Sequence, residues 1–327
     1  MTMKVLQVVT TPRPFFDQQV SVLENRGVDC TVVGVPGEHH GDSGRTPVDY
    51  ARFYPRILAE LRSDEYDLVH ANYGLVAPFA LAQPTRPVVL TLWGTDLMAD
   101  QEWLRSLSRH GARRASATVV PSPVMSRQLE IDHELIPFGV DTELFRPIPQ
   151  TAARERLGWD TDPDTNIALF PYDRERAVKD FPRAKRLVDR AGVDVELRTV
   201  SGVDHAEIPY YMNASDVLLV TSERESGPMV VKEAAACNLP VVSTDVGFVA
   251  ETVEGLPNCF VSDEDDELAV GLTVALDNGG SSEGRERIDG LSLDSMGDRL
   301  VDLYERLLDP TALSRAKTAK RGVSSGV

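Results

Sequence analysis

Residues Asp216–Gly255 read DVLLVTSERESGPMVVKEAAACNLPVVSTDVGFVAETVEG. DVLLVTS is an apolar run ending in small polar residues, the pattern of a strand buried on both faces. A Gly-Pro pair follows, then a helical stretch from Pro228 to Cys237, and PVVSTDV is a second strand of the same kind. The alternation extends both ways. NIALFPY, a helix over Phe181–Arg190, VDVELRTVS and a short helix over Ile208–Asn213 come before it. A helix near Ala250–Glu254, NCFVSD and a helix over Glu267–Asp277 come after. Buried strands alternating with helices predict a parallel sheet, and right-handed crossovers make it a doubly wound α/β domain.

The first half of the chain repeats the theme. MKVLQVV, CTVVGV, DLVHANY, PVVLTLW, ATVVPS and HELIPF read as strands, with helices over Phe16–Glu24 and Val48–Leu61 and a short one near Pro78–Ala82. Between the halves, PIPQTAARERLGWDTDPDT clusters Pro and charge, and periodicity lapses there. The expected organisation is therefore one Rossmann-like domain over 1–150 and a second over 151–292. A helix over 293–310, carrying Met296, Leu300, Leu303 and Leu307 at helical spacing, can pack back on the first domain. A basic tail over 311–327 reads as disordered. Two such domains facing a central cleft leave the default ligand site at the carboxyl ends of both sheets.

Length and composition agree with this. At about 150 residues per domain, 327 residues suggest two cores. The net charge of −17 disfavours a nucleic-acid partner, which needs a positive footprint. No run of about 18 apolar residues occurs, so no membrane-spanning helix is expected, and the N-terminus reads as a strand and not as a secretory signal. Six Lys stand against 28 Arg and 51 acidic residues. That surface suits a halophile, because at molar salt the Debye length is about 3 Å and like charges no longer repel. Cys30, Cys237 and Cys259 are isolated, which supports neither a disulfide framework nor a zinc site and points to a cytoplasmic protein. The tail's four basic residues make peripheral contact with an inner membrane face conceivable.

The segment quoted first also holds the chemistry. Proline is well placed at the first position of a helix, and the amides of Met229, Val230 and Val231 are then free to meet an anion, helped by the helix dipole. Pro228, Met229 and Val230 thus form a candidate pyrophosphate turn. Glu225 and Glu233 bracket it with seven residues between them. Glu225 can face a sugar, and Glu233 can take the two hydroxyls of a ribose. Each can equally be a solvent-facing charge.

The pair Glu225 and Glu233, the EAAACNLPVVSTDVGFVAETV that begins at Glu233, and IPFGVDTELFRP near the linker together resemble the family 4 glycosyltransferases of GT-B fold. In the last of these, Pro137, Gly139, Val140, Asp141, Phe145 and Pro147 match the family pattern, and Phe138 stands where Asn is usual. The resemblance spans roughly residues 4–275. It implies a retaining transferase that moves a sugar from a UDP- or GDP-sugar to a glycan or lipid-linked acceptor, with no cofactor and no metal. It also implies an Arg and a Lys at the donor diphosphate. Arg174 and Lys179 have the required spacing, and Arg176 competes for the arginine role. Fixed cations and helix-end amides stabilise a departing diphosphate whatever the family. By the same resemblance Glu233 holds the ribose, Glu225 lies by the donor sugar as the catalytic residue, and Val203 and His205 lie by the base.

The first domain departs from the family. Thr10-Thr11-Pro12-Arg13-Pro14-Phe15-Phe16 replaces a glycine pair, so an acceptor-facing loop using Arg13 and Phe15 is expected. Trp93-Gly94-Thr95-Asp96 stands where the family has His-Gly-x-Asp, and an indole N–H can donate a hydrogen bond but cannot relay a proton. His70 is a candidate substitute or a satisfied strand-end residue. Asp96 holds an acceptor hydroxyl or caps the helix that follows. The alternatives are a nucleotide-sugar-binding partner without turnover and a GT-B epimerase. A dinucleotide dehydrogenase is weaker still, since no strand leads into G-x-G-x-x-G.

Overall fold

Two parallel sheets with the same winding order organise the chain. The computed structural model describes residues 2–37, 45–162, 165–225 and 227–309. It divides into one unit made of the residues up to Phe138 with those from Asp294 onward, and a second made of Gly139–Leu293.

In the first unit β1 (Lys4–Val9), β2 (Asp29–Gly34), β3 (Leu68–Asn72), β4 (Val88–Thr91), β5 (Ala117–Val120) and β6 (Glu134–Leu135) lie in the order β2-β1-β3-β4-β5-β6. Every pairing is parallel, with Val5 beside Leu68 and Val69 beside Val88. In the second unit β7 (Ile167–Phe170), β8 (Glu196–Thr199), β9 (Val217–Val220), β10 (Val241–Ser243) and β11 (Phe260–Val261) lie in the order β11-β10-β9-β7-β8, again parallel. All five residues of β3 and all four of β4, β7 and β9 are buried, which is why β7 and β9 read as continuous apolar runs and β3 and β4 as mostly apolar ones. The two-residue period of a strand sorts their side chains into separate cores. Ala168, Phe170, Val217 and Leu219 enter one, and Leu169, Leu218 and Val220 enter the other.

The winding direction reverses between β1 and β3 in the first sheet and between β7 and β9 in the second. Carboxyl-end loops diverge at such a reversal and leave room for a ligand.

Three features differ from the sequence expectation. The division falls at Phe138 and Gly139, ahead of residue 150. The stretch where periodicity lapses holds a helix, Gln150–Leu157, in the second unit. Its anchor is Arg154, which is buried and donates to the carbonyls of Ala214, Asp162 and Thr165 and to the Asp216 carboxylate. A helix held by a guanidinium shows no apolar stripe. Finally, Pro228 is the residue before the helix, which runs over Met229–Ala236.

The helix Leu293–Leu308 belongs almost wholly to the first unit, where Met296, Leu300, Leu303 and Tyr304 are buried. Its Asp294 and Asp298 pair with Arg26 at 3.0 and 2.7 Å, and its Arg306 with Glu134 at 3.0 Å. No described helix is long and apolar enough to cross a membrane. The tail over 311–327 lies outside the described residues.

Candidate functional site

In the second unit the loops after β7 and β9 meet. The loop after β7 turns through a short 3-10 helix, Ala177–Lys179, into the helix Phe181–Arg190. Asp180 caps that helix from a left-handed conformation, its side chain accepting from the Arg183 amide at 3.0 Å. Two links tie this loop to the one after β9: the Glu223 amide donates to the Val178 carbonyl, and the Thr221 hydroxyl to the Lys179 carbonyl, each at 3.0 Å. The result brings Lys179 to Glu225. The ammonium donates to Glu225 Oε1, which also accepts from the Ser222 hydroxyl at 3.0 Å. The same ammonium lies 3.7 Å from the centroid of the Tyr172 ring. Burial pulls the Lys179 pKa down and the neighbouring carboxylate opposes it. Arg176, in electrostatic reach of Lys179, is exposed, as is Arg174.

The helix Met229–Ala236 opens beside Glu225. The first amides of a helix have no intrahelical acceptor, although the Val231 amide already reaches the Pro228 carbonyl at 3.1 Å, so it is not free as expected. Gly227 packs flat against Phe248, whose ring leaves no space for a Cβ. The Lys232 ammonium, buried within the helix, lies 4.4 Å from the centroid of that ring. One turn on, Glu233 Oε1 is 3.2 Å from His205 Nε2, and this contact raises the His205 pKa against the opposing effect of burial. Val203 is exposed near that end. The arrangement places the Lys179–Glu225 pair at the strand reversal, with a helix start beside it and the Glu233–His205 contact one turn into that helix.

In the first unit, the loop after β4 is braced from within. Asp96 is fully buried, and its carboxylate accepts from the amides of Trp93, Gly94 and Gly74 at 2.8–3.0 Å. Asp96 performs neither expected role: it lies inside the helix Thr95–Met98, whose cap position is Gly94, and its buried oxygens are turned to backbone amides that they brace. His70 is also fully buried, with Nδ1 2.6 Å from the Tyr304 hydroxyl and Nε2 2.7 Å from the Thr91 hydroxyl, so the structure brings it to the core and not to a ligand surface. Burial holds it neutral, its pKa lowered to about 3.

Trp93 stacks edge-on with Phe15, ring centroids 4.8 Å apart, and lies 5.8 Å from Tyr73. These rings wall a cavity of about 360 Å³ at the β1–β3 reversal, lined also by Thr11, Arg13 and Arg45. Arg45, Tyr50 and Tyr73 escaped the sequence reading. Nothing in the sequence marks Arg45 beyond its place just before the Thr46-Pro47 helix start. Among the described residues, no three of His, Cys, Asp and Glu gather to hold a metal ion.

Comparison with known proteins follows the same division. The Glycosyltransferase Family 4 description matches residues 8–144, and the Glycosyl transferases group 1 description matches residues 178–289. Over 211 residues the chain is 27% identical to a protein named as a teichuronic acid biosynthesis glycosyltransferase, TuaC of Bacillus subtilis, covering 56% of this chain and 54% of that one. The chain spans about half the length of curated relatives such as this. Sucrose-phosphate synthase from Thermosynechococcus elongatus superposes with a TM-score of 0.76 at 17% identity, over 93% of this chain and 99% of that one. HepE of Anabaena, solved with UDP and glucose, gives 0.71 at 17% identity, over 93% and 100%. Matched in both of its units, the chain belongs to the family 4 glycosyltransferases, of GT-B fold.

Proposed function

We propose that this chain transfers a sugar from a nucleotide-sugar, bound by the second unit, to a glycan or lipid-linked acceptor received by the first. The reaction is a metal-independent transfer that retains the anomeric configuration. One observation carries the reading: Lys179 and Glu225, 46 residues apart, meet at the β7–β9 reversal beside a helix start. Breaking the sugar–phosphate bond builds negative charge on the diphosphate, and Lys179, Arg176 and the amides of Met229 and Val230 are the groups that stabilise it. Glu225 then faces the electron-poor anomeric carbon, while the leaving phosphate accepts the acceptor's proton. Glu233 takes the ribose hydroxyls in exchange for His205. HepE, a structural neighbour, was solved with UDP and with UDP-glucose, which makes a uridine donor the first to try.

The test is nucleotide release from UDP-, GDP- and ADP-sugars in high KCl by the wild type and by Glu225→Ala. Release from one donor, lost in the variant, is expected. Failure of every nucleotide to bind would overturn the donor site. A second reading, a nucleotide-sugar-binding partner without turnover, is favoured by Trp93 in place of a histidine. Tight binding with no release, whatever acceptor is added, would select it.

A further inference from the structure

The cavity at the β1–β3 reversal takes in Thr11, Arg13, Phe15 and Trp93, from the two segments in which this chain departs from the family pattern, and its chemistry is one-sided. Arg13 and Arg45 line it, and none of the described residues lining it is acidic. In a protein of net charge −17 a wall with two arginines, and no carboxylate among its described residues, concentrates positive potential locally. The nearby carboxylate of Asp49 is occupied in capping its own helix, accepting from the Thr46 amide and hydroxyl at 2.8 Å.

Two donors in this wall lack acceptors. Arg45 gives one terminal nitrogen to the Thr11 hydroxyl, but its Nε is buried with no partner, and so is Trp93 Nε1. A buried donor without an acceptor is costly, and native structures keep few of them. Tyr73, also in the wall, holds φ +94° and ψ 138°, a backbone region that L residues rarely occupy. Strain of that kind gathers where a ligand is received. Its hydroxyl is 3.1 Å from Thr95 Oγ1. Aromatic faces with polar donors between them suit a sugar ring, and paired guanidinium groups suit an oxyanion.

We propose that this cavity binds an anionic group, a phosphate or a carboxylate, carried by the acceptor sugar, with Arg45 and Arg13 as its specificity-determining residues and Trp93 Nε1 as a further donor. The inference rests on the transferase reading and names the acceptor's chemistry. Both orphaned nitrogens are out of contact with water in the unliganded chain, so the anion engages them after a small side-chain movement.

Isothermal titration of the full chain with glucose 6-phosphate, glucuronate, inorganic phosphate and glucose tests it. At least one anionic sugar is expected to bind about tenfold more tightly than glucose, and which one it is separates phosphate from carboxylate. Arg45→Gln should erase that preference, Arg45→Lys should restore part of it, and UDP should bind both variants as it binds the wild type. Added KCl should weaken the anionic sugar and leave glucose unchanged. Glucose binding as tightly as both anionic sugars, or no measurable binding of any probe, would overturn the proposal, as would an undiminished preference in Arg45→Gln. UDP binding in that same protein keeps the donor site standing when the anion site fails. Loss of both would point to the transferase reading itself.

Discussion

Lys179 and Glu225 form an ion pair at the β7–β9 reversal, with the ammonium held against the face of Tyr172. Both side chains are largely buried, at 6% and 15% exposure. Removing one partner strands the other charge, which costs about 3–5 kcal/mol in buried pairs. Lys179→Met should therefore destabilise the second unit strongly, whereas Lys179→Met with Glu225→Leu should cost less than the sum of the single changes. Urea unfolding of the four proteins measures this. Strict additivity would show that the two charges do not support one another.

The contact between His205 and Glu233 predicts a pH dependence. The His205 pKa lies above its ordinary 6.5, chiefly through the hydrogen bond to Glu233. A raised histidine pKa stabilises the fold fully below the unfolded value, and that stability is lost as pH rises through the folded value. Thermal melts from about pH 6 to pH 8 should show this loss in wild type and not in His205→Gln. Its size should stay under about 1 kcal/mol, because the imidazole is 38% exposed and screened by solvent.

Gly227 is where the loop after β9 lies flat against Phe248. A Cβ there would fall 2.1 Å from the Phe248 ring, so Gly227→Ala must push the ring off its packing. The expected loss is about 1–3 kcal/mol, with nucleotide affinity falling at least about tenfold as the helix start moves. Phe248→Ala in the same chain should recover part of the stability. Unchanged calorimetric affinity in Gly227→Ala would separate this loop from the donor.

Tyr304 ties the last helix to the first sheet through His70. Tyr304→Phe leaves His70 Nδ1 without its partner inside the core, which should cost about 1–3 kcal/mol in denaturant unfolding and leave UDP binding as it is. Acid adds a second signature. The folded His70 resists protonation down to about pH 3, while the unfolded chain takes the proton near 6.5. Stability should fall as pH drops below that value, and His70→Gln should flatten the fall.

Strands were legible because those buried on both faces are dominated by apolar residues; β7 and β9 announce themselves as unbroken apolar runs. The helix Gln150–Leu157 was not, since its anchor is the buried guanidinium of Arg154, and an arginine in sequence reads as surface. In the second unit, Lys179 on the connection after β7, and Glu225, Pro228 and Glu233 on the loop and helix after β9, have family-like spacing, so the candidate donor site could be assembled in advance. The cavity of the first unit could not. Thr11, Arg45, Tyr73 and Trp93 come from four loops that only the sheet order brings together, and no spacing links them. His70 was ambiguous for another reason: its partner Tyr304 is 234 residues away.

The second unit is a continuous stretch of chain, while the first is closed by its own last helix. The outgoing and returning segments run side by side at the crossing, where Val140 pairs with Ser292 and the Leu293 amide donates to the Val140 carbonyl at 2.9 Å. A ribosome therefore finishes the later half before the earlier one. Until the helix Leu293–Leu308 emerges, His70 waits without its tyrosine and Arg26 without its two aspartates. The half that begins first is the last to be completed, and a chain cut short at Leu293 would release a whole second unit joined to an unfinished first one.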